Sequence, residues 1–144
     1  MPHVAPPVTD DDNRFFWDGV GDGRLLIQRC ASCGALRHPP GPMCGRCRSL
    51  EWDTVESTGH GTIYSWVLSH HPTEPDAEPR IVVLVDLDEG VRLVANLQGV
   101  PWSEVDNGQE VDVFFAAVGG VPLPQFRPAG AVRSGSGRDA GGAL

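Results

Sequence analysis

Lysine is absent from this chain of 144 residues: its eleven basic side chains are all arginine, set against 19 acids for a net charge of −8. Nucleic-acid binders gain most of their affinity from basic residues that neutralise phosphates, so on average this chain repels a polyanion. The missing lysine, beside so much Gly, Ala, Val and Pro, reads as the codon bias of a GC-rich genome and carries no mechanism. Long apolar runs are lacking too. The runs Ile81 to Val85 and Val113 to Val118 fall far short of the ~18 residues of a membrane-spanning helix. Met1 to Pro7 has neither the basic start nor the apolar stretch of a secretory signal, which makes the cytoplasm, with reduced thiols, the expected compartment. Catalytic groups are equally scarce. No Ser, Cys or Lys sits in a recognisable nucleophile context, and adjacent strand residues such as His70 and His71 point to opposite faces. His38 and His60 read as surface or inter-module residues.

What is present is a composition, 40% hydrophobic and 21% charged, able to fold a core as one domain or two small ones. Charge is unevenly spread. Between Gly23 and Leu50 lie five arginines (Arg24, Arg29, Arg37, Arg46, Arg48) and no acid, which reads as a basic module on an acidic body. Ahead of it, Thr9-Asp10-Asp11-Asp12 predicts a helix capped by Thr9 and ended after about three turns by Gly19, Gly21 and Gly23. Its aromatics Phe15, Phe16 and Trp17 fit either core packing or an exposed docking patch.

Inside the basic module, Cys30-Ala31-Ser32-Cys33 and Cys44-Gly45-Arg46-Cys47 are two CxxC pairs separated by ten residues. Each pair can wrap one edge of a tetrahedral metal, with Gly34 and Gly45 supplying permissive backbone. Four thiolates in a reduced compartment point to structural zinc at Cys30, Cys33, Cys44 and Cys47; iron in the same cage, or a redox dithiol, is the alternative. A closed site leaves no position for substrate, so the metal replaces core rather than doing chemistry. A zinc tetrathiolate leaves the module about +3, and Arg37, Arg46 and Arg48, which flank the cysteine pairs, are candidates to meet an acidic partner or the phosphates of a ligand.

After the cysteines, Glu51 to Thr58 alternates apolar and polar residues. The runs His60–His71, Arg80–Asp86, Val91–Gln98 and Val111–Val118 follow, punctuated by Asp88-Glu89-Gly90 and Asn107-Gly108. They predict antiparallel strands in a small closed barrel, with Thr62, Tyr64, Trp66 and Leu68 on one face and Val91, Leu93, Ala95 and Leu97 on another. Val121 to Pro128 holds too many prolines for a central strand and is expected along an edge or over the barrel. The Gly, Ala and Ser-rich end reads as a disordered tail or linker.

The succession Phe16-Trp17, Gly23, Leu25, Gln28-Arg29-Cys30, the two CxxC pairs, Gly61-Thr62-Ile63-Tyr64-Ser65 and Leu123-Pro124-Gln125-Phe126-Arg127-Pro128 resembles one family. It is that of paired rubredoxin-like zinc-ribbon and OB-fold proteins, long classed as domain of unknown function thirty-five. The resemblance implies a mainly β chain: arm and short helix over 1–23, zinc ribbon over 24–50, antiparallel OB-fold barrel over 51–128, and tail over 129–144. It also implies a non-catalytic companion that stabilises a lipid-transfer-protein-like thiolase or an aldolase of steroid side-chain degradation in a hetero-oligomer and borders the acyl-CoA path. Relatives of this kind also occur fused to enoyl-CoA hydratases, so the chain is expected to be either a subunit or the C-terminal part of such a fusion, with residues before Thr9 as the linker. The competing reading is a zinc-ribbon OB-fold module for nucleic acid, with Tyr64 and Trp66 as stacking platforms; the acidic barrel weighs against it.

Overall fold

The structure, a computed structural model, describes residues 7–130; most of the expected linker and nearly all of the expected tail lie outside the described residues. Helix α1 (Arg14–Gly21) leads into β1 (Leu26–Cys30), β2 (Leu36–Arg37) and β3 (Trp52–Glu56), then β4 (His60–Ser69), β5 (Arg80–Leu87), β6 (Arg92–Leu97), β7 (Glu110–Val118) and β8 (Val121–Pro128). The first three strands form a sheet ordered β2-β1-β3, and the last five close a barrel in the order β4-β5-β6-β8-β7.

The helix has eight residues, about two turns rather than three. Its start is fixed not by Thr9 but by Asp10, whose Oδ1 accepts from the amides of Asp12 (2.9 Å) and Asn13 (3.0 Å). The carboxylate thereby satisfies donors in a turn that precedes the helix and delays it to Arg14. The C-terminus follows the glycine rule: Gly23 has φ +75°, its N–H donates to Val20 C=O and that of Arg24 to Gly19 C=O, the paired bonds of a Schellman cap.

Residues 51–58, expected to open the barrel, belong instead to the first sheet. β3 pairs antiparallel with β1 from Leu26–Glu56 to Cys30–Trp52, and cross-strand ion pairs Arg29–Asp53 (2.8 Å) and Arg24–Glu56 (3.1 Å) accompany that register. Two ribbon arginines therefore have carboxylate partners, and the module is less basic than its segment of sequence.

In the barrel the face of β4 switches. The β4–β5 register shifts between Ile63 and Ser65, a bulge at Tyr64. Ile63 is buried before it, Trp66 and Leu68 pack on the core after it, and Tyr64 is half exposed. The expected single face of Thr62, Tyr64, Trp66 and Leu68 is thus broken by one extra residue. Val91, Leu93 and Leu97 are buried, as their alternation predicts, with Ala95 packed against the same core.

β8 is a full strand, not an edge cover. It pairs with β7 from Val118–Val121 to Val111–Pro128 and meets β6 in parallel at Leu97–Phe126. Phe126 C=O accepts from Gln98 N–H on the β6 side. Groups alternate sides along a strand, so Pro122, Pro124 and Pro128 also aim their missing N–H positions away from β7 and cost that ladder nothing. The Gly119-Gly120 turn, both residues at positive φ, makes the hairpin. Ala129 still donates to Glu110 C=O at 2.9 Å, so the expected tail begins no earlier than residue 130. Gly61 is required by contact: a Cβ there would lie 2.4 Å from Asp86 C=O.

One core joins all parts, with Phe16 and Val20 from the helix, Leu25 just before β1 and Ile27 of β1 against Val83, Val85, Val111 and Phe126 of the barrel. Among the described residues no helix is long and apolar enough to cross a membrane.

Candidate metal centre and surrounding surfaces

Two similar knuckles bring the cysteines together. In the first, Gly34 N–H donates to Cys30 C=O; in the second, Arg48 N–H donates to Cys44 C=O, each at 2.9 Å. The residue after each CxxC is left-handed, Gly34 at φ +80° and Arg48 at φ +66°. The permissive position is thus 34 in one knuckle and 48 in the other; Gly45 has no such φ, and an arginine occupies a conformation that favours glycine.

The four Sγ atoms lie within 4.8 Å of one another, with Cys30–Cys47 at 3.5 Å and Cys33–Cys44 at 3.6 Å. A tetrahedron with Zn–S bonds of about 2.3 Å has edges of about 3.8 Å, so the donor set fits such an ion. Backbone amides already point at sulfur: Cys33 N–H to Cys30 Sγ and Arg46 N–H to Cys44 Sγ, each 3.4 Å. The Cys47 and Arg46 amides bring Cys44 down to about 6, and the Cys33 amide foremost lowers Cys30. Cys47 goes the other way. The Ser49 amide favours its thiolate, but the crowding sulfurs of Cys30, Cys33 and Cys44, together with burial, push it up to about 11. Four sulfurs so close ionise together only beside a cation. Cys30 and Cys44 are buried, Cys33 and Cys47 exposed.

The candidate docking residues separate. Arg46 and Arg48 are exposed. Arg37 is half-buried and turned inward, its Nη2 donating to Gly41 C=O at 2.9 Å. Phe16 is 4% exposed, with the His38 ring at 5.1 Å and the Trp17 ring at 5.0 Å, and so packs inside rather than in a surface patch. Phe15 packs on Trp52, rings 5.0 Å apart, and with Trp17 is only partly covered. Tyr64 lies under the Arg92 guanidinium, 3.8 Å from the ring centroid, while Trp66 packs on the core; they form no common stacking platform.

Two polar features gave no signal in the sequence. Gln28, 1% exposed, exchanges hydrogen bonds with Gly41: its Nε2 donates to Gly41 C=O (3.0 Å) and its Oε1 accepts from Gly41 N–H (2.9 Å). His60 sits between Asp88 at Nδ1 and Glu110 at Nε2, both 2.9 Å, which raises its pKa, Asp88 contributing most. His38, by contrast, is lowered by burial, and His71 contacts Glu74 at 3.4 Å. The Thr73 hydroxyl lies 3.4 Å from His71 Nδ1, a local contact of exposed residues two positions apart.

A four-cysteine ribbon docked on a five-strand OB-like barrel defines the class, that of zinc-ribbon OB-fold proteins. The chain belongs to the ChsH2 family of DUF35 proteins: residues 17–53 match the ChsH2 rubredoxin-like zinc ribbon domain and residues 54–116 the ChsH2 C-terminal OB-fold domain. It is 46% identical to the probable enoyl-CoA hydratase alpha subunit of Thermomonospora curvata, over 85% of this chain and 39% of that one. It is 42% identical to the 3-oxo-4,17-pregnadiene-20-carboxyl-CoA hydratase alpha subunit of Mycobacterium tuberculosis, over 73% and 34% respectively. The chain thus spans well under half the length of these two curated relatives. The benzoylsuccinyl-CoA thiolase subunit BbsA of Thauera aromatica matches along 94% of its own length and 88% of this chain, at 29% identity. Among solved structures, the Ltp2-ChsH2(DUF35) aldolase matches with TM-score 0.79 and 46% identity, over 85% of this chain and 98% of the matched one.

Proposed function

We propose that this chain is a non-catalytic subunit or domain that binds and stabilises a thiolase-like aldolase or thiolase acting on acyl-CoA thioesters, in the degradation of a steroid side chain or another lipid. One observation carries the reading: 98% of the chain matched in the Ltp2-ChsH2(DUF35) aldolase is covered by this one at 46% identity. The Thauera relative, a thiolase subunit, supports the same class of partner, and the hydratase alpha subunits support a fused or associated enoyl-CoA hydratase.

Zinc held by Cys30, Cys33, Cys44 and Cys47 is structural in this reading: four thiolates complete a tetrahedron and leave no open position for substrate. It ties two short knuckles that have little apolar core of their own. The barrel's part is to stiffen the partner and border the acyl-CoA path, and the setting is the cytoplasm. Among the ribbon arginines, the exposed Arg46 and Arg48 are in this reading the ones that meet anionic groups of the partner or of CoA.

An activity assay tests this. The purified chain alone leaves a panel of acyl-CoA thioesters unchanged, while adding it to a co-expressed thiolase-like protein from the same genome raises that protein's activity. Turnover by the chain alone well above background would contradict the proposal.

A further inference from the structure

The outward face of strands β4, β5 and β6 is apolar at its centre. Along β5, Ile81, Val83, Val85 and Leu87 are buried, so Val82 and Leu84 point away from the core. The register sets Val67 opposite Val82 and Leu84 opposite Val94. Val82 and Leu84 are successive on one face of β5, and the four side chains therefore form one contiguous patch. Val67 is 61% and Val94 62% exposed. At one end of the patch the Arg92 guanidinium stands over the Tyr64 ring, which is still half exposed, and donates to Asp86 at 2.6 Å. At the other end Arg80 has the Ser69 hydroxyl at 3.4 Å and no carboxylate partner among the described residues.

The patch runs into a cavity of about 510 Å³ where helix, ribbon and barrel meet, with Trp17 of α1, Pro39 and Pro40 of the ribbon and Leu123 of β8 beside Val82 and Val94. Arg80 also stands on its wall, and no carboxylate lines it. On a chain of net charge −8, face and cavity together carry two arginines and one acid that is already paired. An apolar centre ringed by polar groups, opposite in sign to the rest of the molecule, is the make-up of a protein-binding surface.

Resting on the proposed partnership, we infer that the thiolase-like partner seats on this face: an apolar side chain of the partner fills the cavity, its flanking surface covers Val67, Leu84 and Val94, and one of its carboxylates meets Arg80. Charge and extent select this occupant. In a two-fold pair of this chain the face would meet itself, bringing two copies of Arg80 into an interface with no free carboxylate. A small apolar ligand in the cavity would leave Tyr64 and Val67 in water, and an anionic lipid surface repels a chain of this net charge.

The test is methyl cross-saturation NMR on the full chain, deuterated and methyl-labelled at Val and Leu, mixed with an unlabelled thiolase-like protein from the same genome. Affinities of Val67→Thr with Val94→Thr, and of Arg80→Gln, accompany it. Threonine keeps the branched shape that suits a strand and places a hydroxyl where the contact is apolar. Saturating the partner should attenuate the Val67, Leu84 and Val94 methyls most. The double threonine variant should bind about tenfold more weakly, and Arg80→Gln about threefold more weakly, most clearly at low salt. A complex in which these methyls keep their intensity while others lose theirs overturns the inference and leaves the partnership intact, as does parent-like affinity of the double variant. Parent-like affinity of Arg80→Gln across a salt series overturns the carboxylate contact. Attenuation of the same methyls in a mixture of labelled and unlabelled free chain assigns the face to a second copy and overturns the inference too. Failure of the parent chain to form any complex overturns the partnership itself, and this inference with it. The NMR measurement needs no variant and stands even where one fails to fold.

Discussion

Gln28 and Gly41 exchange two hydrogen bonds, 3.0 Å and 2.9 Å, so that a buried side-chain amide on β1 does for the loop before the second knuckle what a neighbouring strand would do. Arg37 adds its Nη2 to the same carbonyl. The loop that carries the second pair of cysteines is thereby tied to β1 by polar groups, independently of any metal at the four sulfurs.

Gln28→Glu replaces the Nε2 donor with an acceptor facing Gly41 C=O and leaves a buried carboxyl. We expect a loss of about 1–3 kcal/mol, read as a lower urea midpoint for the metal-loaded chain and faster zinc loss to a chelator. An unchanged midpoint would mean that the loop is held by the knuckle alone.

Arg48→Gly should stabilise. The left-handed backbone costs a non-glycine residue roughly 1–2 kcal/mol, and glycine returns about half of that through its freer unfolded state. The expected gain is about 0.5 kcal/mol, seen as a raised denaturation midpoint at constant slope. A loss of stability would show that the Arg48 side chain makes a contact that matters to the fold.

His60 ties β4 to the β5–β6 turn and to β7 through Asp88 and Glu110, and its folded pKa is raised. The contribution is therefore complete below the unfolded value of about 6.5 and lost as pH rises through the folded pKa. The stability difference between the parent and His60→Gln should be full below about pH 6.5 and shrink as pH rises above it. Taking the difference cancels His38, whose lowered pKa acts in the opposite sense. A difference that stays constant with pH would remove the protonated clamp.

Arg46→Gln with Arg48→Gln removes two exposed ribbon cations that, unlike Arg24, have no carboxylate partner among the described residues. Metal content and fold should be kept, while association with the partner enzyme slows, most clearly at low ionic strength where steering is strongest. Parent-like association across a salt series would make these arginines ordinary solvated charge.

The cysteine spacing made the metal cluster legible, because four ligands within 18 residues are a local pattern. Turn chemistry at Gly90 and Gly108 and the alternation of β6 made most of the barrel legible too. What stayed hidden depends on tertiary pairing. The bulge at Tyr64 shifts a face by one residue with no local sequence mark, β3 joins the ribbon through partners 24 and 32 residues away, and the prolines of β8 are harmless only because they share one side of the strand. Gln28 and His60 find their partners across 13 to 50 residues, beyond what any local pattern reports.

The measurement closest to the central claim is native mass determination of the chain co-expressed with thiolase-like proteins from the same genome, with metal content read from the same sample. The account predicts a defined hetero-oligomer carrying one zinc per copy of this chain, retained near physiological salt. A chain that runs alone, or one folded without metal and retained on DNA or heparin at that salt, would contradict it.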